Sequence, residues 1–259
     1  MDLGLTGKVA VVTGASKGIG LAIVRGLAAD GAHVFAGART SSEALDELVQ
    51  AGQVHSVQVN LTDPSGPARL IAQAGEQIDI LVNNVGGAPP RTGGFLSITD
   101  DDWLSTMTVN FMAAVRTTRA ALPAMLAAGQ GSIVNTGSVN SYLPDPAVMD
   151  YGAAKAALAN FAKALSKEVG PHGIRVNSVS PGPVATDLWL GADGVAATVG
   201  AATGADPNDV AGQAASQMVT GRFTTPEEVA DLVLFLASER AANITGANFA
   251  IDGGLVQTL

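Results

Sequence analysis

The sequence predicts one α/β domain, a doubly wound parallel sheet of about seven strands with helices on both faces. Short apolar runs alternate with longer segments of helical period along the whole chain, which is typical of successive βαβ units. Apolar residues make up 47% of the 259 residues and charged residues 14%, so the chain can bury one large core. No linker, charge block or internal repeat divides the chain, and we expect residues 1–259 to form a single domain.

The strands are predicted where short apolar runs end at glycine or polar residues. They are Lys8–Val12, His33–Gly37, Val54–Val59, Ile78–Val82, Ser132–Asn135, Arg175–Val179 and Asn248–Ile251. The helices are predicted in the segments of helical period: Gly18–Ala29, Ser42–Ala51, Pro64–Glu76, Asp100–Ala128, Asp150–Val169 and Pro226–Ala237. Two helix starts carry capping signals, since Thr99 precedes three aspartates and Thr225 precedes a proline and two glutamates.

Residues 187–223 differ in composition from the rest of the chain. They are rich in alanine and glycine, carry few charges and include Pro207. We expect a mobile or loosely helical segment that covers a substrate site, which we call the lid segment, rather than a second domain.

Charge and composition exclude several classes of function. The net charge of −9 argues against a nucleic-acid partner and against binding to an anionic membrane surface. The chain has no cysteine, and its three histidines are far apart, so no metal site is expected. The first apolar run is too short for a secretory signal, and no stretch approaches the roughly 20 apolar residues of a membrane span. We therefore expect a soluble cytoplasmic protein.

A glycine-rich turn follows the first strand and opens directly into a helix. Its residues are Gly14, Ala15, Ser16, Lys17, Gly18, Ile19 and Gly20. Glycines let the backbone approach a pyrophosphate, which then lies at the positive end of the helix. The spacing differs from the commonest dinucleotide fingerprint, so the turn alone is weak evidence, but its position after strand one favours a Rossmann-type nucleotide site.

The end of the second strand indicates which dinucleotide binds. An acid about 20 residues after the glycines usually holds the ribose 2′-hydroxyl of NAD. Here that position is Ala38, followed by Arg39, and Lys17 lies within the glycine turn. Two cations and no carboxylate favour a 2′-phosphate, and hence NADP(H).

Tyr151 and Lys155 are four residues apart and share one face of a predicted helix. A tyrosine with an ordinary pKa of about 10 is a poor acid–base catalyst near neutral pH. A neighbouring ammonium would lower the pKa of Tyr151 towards the working pH.

Together these motifs resemble the short-chain dehydrogenase/reductase family, and in particular its members similar to 3-oxoacyl-carrier-protein reductases. The resemblance rests, in order and spacing, on Thr13–Gly20, Asn83–Gly86, Asn110, Ser138, Tyr151, Lys155, Pro181–Gly182 and the ending Thr245–Gly254. It covers essentially the whole chain. Asn60 departs from the aspartate that many members have, and Gly137 from a frequent serine.

The resemblance implies an NADP(H)-dependent enzyme and assigns its residues. Tyr151 would be the general acid in ketone reduction, Lys155 would lower its pKa and bind the ribose, Ser138 would orient the carbonyl, and Asn110 would hold a relay water. The implied cofactor-binding residues are Gly14, Ser16, Lys17, Gly18, Ile19, Gly20, Arg39, Asn60, Leu61, Asn83, Gly86, Tyr151, Lys155, Pro181, Gly182, Val184 and Thr186.

The substrate pocket is expected after Ser138 and after Thr186. Its wall would include Val139, Asn140, Leu143, Met149, Leu188 and Trp189. This mostly apolar set predicts a neutral ketone or 3-oxo ester, although Trp189 and its neighbours could equally be packing the lid segment. A homo-oligomer, tetramer rather than dimer, is also implied.

Three alternatives stay open. A 3-oxoacyl-carrier-protein reductase would dock an acidic carrier, but residues 126–130, beside the entrance, are neutral. Epimerisation or dehydration by the same residues usually comes with a longer chain. A non-catalytic NADP-binding sensor or scaffold would be expected to lose Ser138, Tyr151 or Lys155, and all three are present.

Overall fold

The protein forms one seven-stranded parallel sheet with helices on both faces, in a computed structural model that describes residues 2–258. The strands are β1 (Val9–Thr13), β2 (His33–Ala38), β3 (Val54–Gln58), β4 (Ile80–Asn83), β5 (Gly131–Thr136), β6 (Ile174–Pro181) and β7 (Asn248–Ile251). Their order in the sheet is β3-β2-β1-β4-β5-β6-β7. The predicted fold class is confirmed.

The helices that cover the sheet follow the strands along the chain. They are α1 (Gly18–Ala29), α2 (Glu43–Gln50), α3 (Gly66–Ala74), α4 (Asp100–Met107), α5 (Ala113–Ala128), α6 (Met149–Val169), α7 (Asp187–Leu190), α8 (Val195–Thr203), α9 (Pro207–Ser216) and α10 (Pro226–Ala237). Thr99 and Thr225 both form capping boxes, with Asp102 and Glu228, as their sequence signals suggested.

The sheet has a buried apolar layer on each face. One layer packs α1 and α10 around side chains such as Val12, Ile23 and Leu236, and the other packs α3, α5 and α6 around Leu81 and Ile133. The central strands are buried on both faces, which explains why their sequences are continuous apolar runs. Within residues 2–258 no helix is both long and apolar enough to cross a bilayer.

Two predicted helices differ from those observed. The helix expected over Asp100–Ala128 is divided by a π-helical turn at Thr108–Met112, and the helix expected from Pro64 begins at Gly66. The π-helical turn carries the buried Asn110, and such single turns occur often at functional sites.

The lid segment contains three short helices, α7, α8 and α9. A parallel bridge between Val184 and Thr224 joins the chain entering the segment to the chain leaving it. The strand order reverses between β1 and β4, and in folds of this kind ligands bind at such a point, at the carboxyl ends of the strands.

Candidate active site

The glycine-rich turn forms a tight surface, which we call the cradle, where there is no room for side chains and a ligand would contact backbone atoms. A Cβ added at Gly20 would lie 2.1 Å from the carbonyl oxygen of Gly14, and Gly14 and Gly18 have φ of 65° and 54°. No side chain caps the first turn of α1. Its backbone N–H groups, beside Gly18 and Ile19, are therefore available to an anion such as a pyrophosphate.

The corner at the end of β2 carries the two predicted cations. Arg39 directly follows β2 and is exposed, and its carbonyl accepts a hydrogen bond from Gln58. Lys17 precedes α1, and its Nζ is 4.0 Å from a carboxylate oxygen of Asp187. Ser16 belongs to the same corner, because its carbonyl accepts a 2.6 Å hydrogen bond from the Ser42 hydroxyl at the start of α2.

The predicted adenine contacts lie in the loop after β3. Leu61 is buried, and the Oδ1 atom of Asn60 accepts hydrogen bonds from the backbone and hydroxyl of Thr62. The amide nitrogen of Asn60 makes no hydrogen bond within residues 2–258. It could therefore donate a hydrogen bond to an acceptor atom of the adenine base.

Asn83, predicted to line the cofactor, has a different role in the structure. Its side chain is 2% exposed and donates to Thr118 and Asn135 inside the fold. The next residue, Asn84, instead reaches the glycine turn, where its Nδ2 donates to the carbonyls of Thr13 and Gly14 at 3.1 Å each. The sequence reasoning missed Asn84, although the alternation of side chains at the end of a strand was a signal for it.

The residues after β6 meet the glycine turn from the other side. The Gly182 N–H donates to Ile251, and Val184 is 4% exposed. A Cβ added at Gly18 would lie 3.2 Å from the Thr186 methyl group. These three residues follow Pro181, which ends β6, and lead into the lid segment. Their contacts place the start of the lid segment against the predicted cofactor cradle.

Ser138 and Tyr151 are brought together at the carboxyl end of β5. The Ser138 hydroxyl donates to Oδ1 of Asn140 and accepts from the backbone N–H of Asn140, both at 3.2 Å, and it lies close enough to the Tyr151 hydroxyl to act on its pKa. Burial raises the pKa of Tyr151 above 10, and the neighbouring Ser138 hydroxyl acts in the opposite direction. The phenol is therefore protonated near neutral pH, which suits a general acid.

Lys155 lies one helical turn from Tyr151 and is 3% exposed. Its Nζ donates to the carbonyl of Thr136 at 2.8 Å and lies 5.7 Å from the centre of the Tyr151 ring. Burial lowers the pKa of Lys155 to about 8. The expected lowering of the Tyr151 pKa by Lys155 is not found: burial raises this pKa, and the group that lowers it is Ser138.

Asn110 and Gly86 complete the centre. The Asn110 side chain accepts from the Gly87 N–H at 3.1 Å and donates to the carbonyls of Gly87 and Thr106. A Cβ added at Gly86 would be 2.8 Å from Asn110 Oδ1 and 3.4 Å from Lys155 Nζ. Gly86 therefore keeps the space in front of these two side chains open.

The predicted pocket residues are divided by their exposure. Leu143 and Leu188 are exposed, Asn140, Met149 and Trp189 are partly exposed, and Val139 is 3% exposed and packs beneath the surface. The Trp189 ring meets Phe223 edge to face at 5.3 Å, which ties the first helix of the lid segment to its end. Packing within the lid segment is thus one role of Trp189.

Sequence reasoning missed a second set of buried polar residues beside the centre. Arg91, in the loop after β4, forms ion pairs with Asp102 and Asp150, and Asp150 directly precedes Tyr151. Arg91 and Asp150 are 59 positions apart, so no local pattern could have joined them.

Comparisons with known proteins show which family shares this fold and sequence. The family model described as enoyl-(acyl carrier protein) reductase matches residues 14–256. The 3-oxoacyl-[acyl-carrier-protein] reductase FabG of Thermotoga maritima is 35% identical, covering 97% of this chain and 99% of its own. L-sorbose reductase from Gluconobacter frateurii, solved with NADPH and L-sorbose, has a TM-score of 0.91 at 35% identity over the whole of both chains. A putative NAD(P)-dependent gluconate 5-dehydrogenase from Beutenbergia cavernae, with bound NADP, has a TM-score of 0.88 at 33% identity, also over both whole chains.

Proposed function

Because the chain belongs to the short-chain dehydrogenase/reductase family, we propose that it is an NADP(H)-dependent enzyme that interconverts a neutral ketone and its secondary alcohol. The observation that carries the proposal is that Ser138, Tyr151 and the buried ammonium of Lys155, 5.7 Å from the centre of the Tyr151 ring, come together at the carboxyl end of β5. A protonated phenol, a hydroxyl donor and a cation around one point form an acid–base site for a carbonyl oxygen.

The residues present fit an NADP(H) molecule. The cradle at Gly14, Gly18 and Gly20 would hold the pyrophosphate, and Arg39 and Lys17 would bind the 2′-phosphate by charge-assisted hydrogen bonds. The nicotinamide supplies or accepts a hydride when bound. NADP-bound or NADPH-bound relatives support the choice of this cofactor.

The chain's own residues then account for the proton. In reduction, the hydroxyl of Tyr151 would give its proton to the carbonyl oxygen, and Ser138 would hold that oxygen by a second hydrogen bond. Lys155 would stabilise the resulting phenolate, which it faces at short range. Asn110, fixed by its bonds to Gly87 and Thr106, would hold the water that returns a proton to the site.

The proposed substrate is a moderately hydrophobic ketone or 3-oxo ester without a negative charge. Leu143 and Leu188 offer apolar surface on the two segments expected to form the pocket. Arg91, on the neighbouring loop, is already paired with two carboxylates and so is not available to bind an anionic substrate.

Two other functions remain to be separated from this one. The FabG relatives favour a 3-oxoacyl thioester on a carrier protein. Within the protomer the neutral run 126–130 lies at the amino end of β5 rather than beside Ser138 at its carboxyl end, so its charge does not decide against a carrier. A non-catalytic NADP-binding sensor would bind the cofactor and turn over no ketone. The proposal also includes a homo-oligomer, tetramer rather than dimer, in the cytoplasm; exposed Leu104 and Leu126, on α4 and α5, would suit subunit contacts.

The test follows nicotinamide absorbance while NADPH is offered with 3-oxo esters, a 3-oxoacyl thioester, cyclic and aryl ketones and L-sorbose. We expect turnover of a neutral ketone, and a loss of at least about 100-fold in kcat for Tyr151→Phe, with the Kd for NADPH nearly unchanged. Turnover of the thioester alone would favour the carrier-protein reductase. Bound NADPH without any turnover would favour the sensor.

A further inference from the structure

Arg91 is a buried cation that joins two helices to the loop after β4. Its side chain is 14% exposed. Nη1 donates to Asp102 of α4 at 2.9 Å, and Nε donates to Asp150 of α6 at 3.0 Å. Nη2 also bonds the same Asp150 oxygen, and the backbone N–H of Arg91 donates to Ala147, just before α6.

Asp150 connects this cation to the catalytic tyrosine. Its side chain is fully buried, and one carboxylate oxygen accepts the backbone N–H of Tyr151 at 3.0 Å. The other oxygen accepts the hydroxyl of Thr106 at 2.8 Å. Burial opposes the charge of Asp150, but the hydrogen bonds from Arg91 and Thr106 outweigh it, so the pKa of Asp150 is lowered and the group is ionised.

The same set of contacts also reaches Asn110. The carbonyl of Thr106 accepts a 3.1 Å hydrogen bond from the Asn110 side chain, and the Thr106 hydroxyl is bonded to Asp150. Arg91, Asp102, Thr106 and Asp150, which we call the Arg91 network, thus contact the local structure of both Tyr151 and Asn110.

Net stability is a weak explanation for such a network. The cost of removing two charges from water roughly cancels their attraction, and well-packed apolar residues often replace a buried pair without loss. An acid in the first turn of α6 is favourable there, but a surface acid would give the same benefit without burying an arginine. The fixed directions of the guanidinium N–H groups are a better reason, because they bond Asp150 of α6 and Asp102 of α4 at once and so define one position for the start of α6.

We infer that Arg91 and Asp150 are positioning residues, which hold the first turn of α6 so that the Tyr151 hydroxyl meets Ser138 and the carbonyl of the substrate. The inference rests on the proposed reductase function. Reacting groups must be placed within a fraction of an ångström, and a displacement of about 1 Å can lower a rate by about 100-fold.

The experiment compares Arg91→Met, Asp150→Leu, their combination and Arg91→Lys. Arg91→Met leaves the buried Asp150 carboxylate without its cation, and Asp150→Leu leaves Arg91 with Asp102 alone, so each single variant should be less stable, whereas the combination should recover the free energy of unfolding. A purely structural network would recover kcat together with stability. If the network positions Tyr151, kcat of the combined variant stays at least about tenfold below wild type, with the Kd for NADPH nearly unchanged. Arg91→Lys should then keep part of the kcat that Arg91→Met loses.

A second readout does not depend on turnover. The chain has two tyrosines, so a Tyr142→Phe background leaves Tyr151 as the only phenol and gives it a single ¹³C resonance at Cζ. We expect this resonance to shift or broaden in the combined variant. The matched control, Lys8→Met, breaks an ion pair with Glu239 at the amino end of β1, away from the carboxyl ends that carry the site, and should leave the resonance and kcat unchanged.

The outcomes separate this inference from the proposed function. Without any turnover by wild type, the proposed function fails and the Tyr151 resonance alone decides the positioning role. A combined variant with the wild-type resonance, and with wild-type kcat where there is turnover, overturns the inference. If the combined variant does not fold, Arg91→Lys decides by the same two readouts.

Discussion

The catalytic centre and the cofactor rim of this site are built in opposite ways. In the centre, Lys155, Asn110 and Asp150 are between 0% and 3% exposed, and each has hydrogen-bond partners in the protein. At the rim, Lys17 and Asp187 are 74% and 73% exposed and meet only at 4.0 Å. Arg39 is likewise exposed.

The side chains of the centre are held in place before a ligand arrives, whereas the exposed side chains of the rim must be ordered by the ligand. Buried and fully bonded groups lose little freedom at the moment of reaction, which is the basis of preorganised catalysis. An exposed ion pair contributes at most about 1 kcal/mol and is screened by salt. Changes in the centre should therefore alter kcat and the stability of the cofactor-free protein, whereas changes at the rim should alter only ligand binding.

The largest expected effect in the centre is that of Lys155→Met. Turnover should fall by about 100-fold or more, because Tyr151 loses the cation that stabilises its phenolate. The variant should nevertheless be more stable at pH 7 without cofactor, by about 2 kcal/mol. Lowering the pKa of Lys155 from 10.5 to about 8 disfavours folding by about 3 kcal/mol, and the lost bond to Thr136 returns about 1 kcal/mol of that difference.

The pH dependence of the stability difference between Lys155→Met and wild type tests this prediction. Between pH 8 and 10.5 the unfolded wild-type chain binds more protons at Lys155 than the folded one, so wild-type stability rises with pH across that window. In urea unfolding, the advantage of Lys155→Met should therefore shrink from pH 7 to about pH 10. Lys163→Met, an exposed lysine on the same helix, is the control. A Lys155→Met protein less stable than wild type at pH 7 would contradict the account.

Much of the fold could be predicted from the sequence because local patterns encode it. Each predicted strand lies within two residues of the observed strand, since a strand buried on both faces must be an apolar run. The hydroxyl caps at Thr99 and Thr225 act within three residues, and they too were visible. Tyr151 and Lys155 share a helix face for the same local reason.

The parts that sequence could not show depend on tertiary contacts. The π-helical turn at Asn110 has no residue pattern of its own, and Arg91 meets Asp150 only after α4, α5 and β5, which lie between them in the chain, are folded. The raised pKa of Tyr151 depends on burial, which no spacing reveals. The side chain of Asn83 enters the fold, and it is that of Asn84, for which no role was predicted, that reaches the glycine turn.

At the rim, Arg39→Ala tests the cofactor preference. A charge-assisted hydrogen bond to a 2′-phosphate contributes about 1.5 kcal/mol, so the Kd for NADPH should rise by about tenfold. The Kd for NADH, which lacks this phosphate, should change little, and so should the stability of the protein without cofactor. Fluorescence titration at low and high salt measures both Kd values. High salt should reduce the difference in NADPH Kd between wild type and Arg39→Ala.

The control for Arg39→Ala is Arg25→Ala, which removes the same charge from the exposed face of α1. It should leave both affinities near wild type. Tighter binding of NADH than of NADPH by wild type would overturn the roles given to Arg39 and Lys17, and would make the rim an NAD site despite its charge.

The smallest effect is expected from Trp189→Ala in the lid segment. The edge-to-face contact with Phe223 contributes about 1 kcal/mol, and it joins α7 to the end of the segment rather than to the catalytic helix. Its loss should loosen the lid segment, so that KM for the ketone rises by about threefold while kcat and the Kd for NADPH stay near wild type.

Val219→Ala shortens an apolar side chain that is 80% exposed in the same segment, and it should leave KM unchanged. A large fall in kcat for Trp189→Ala would mean that the lid segment helps to place Tyr151. The division between a preformed centre and a ligand-organised rim would then be wrong at this point, because a weakly held element would be setting the geometry of the chemical step.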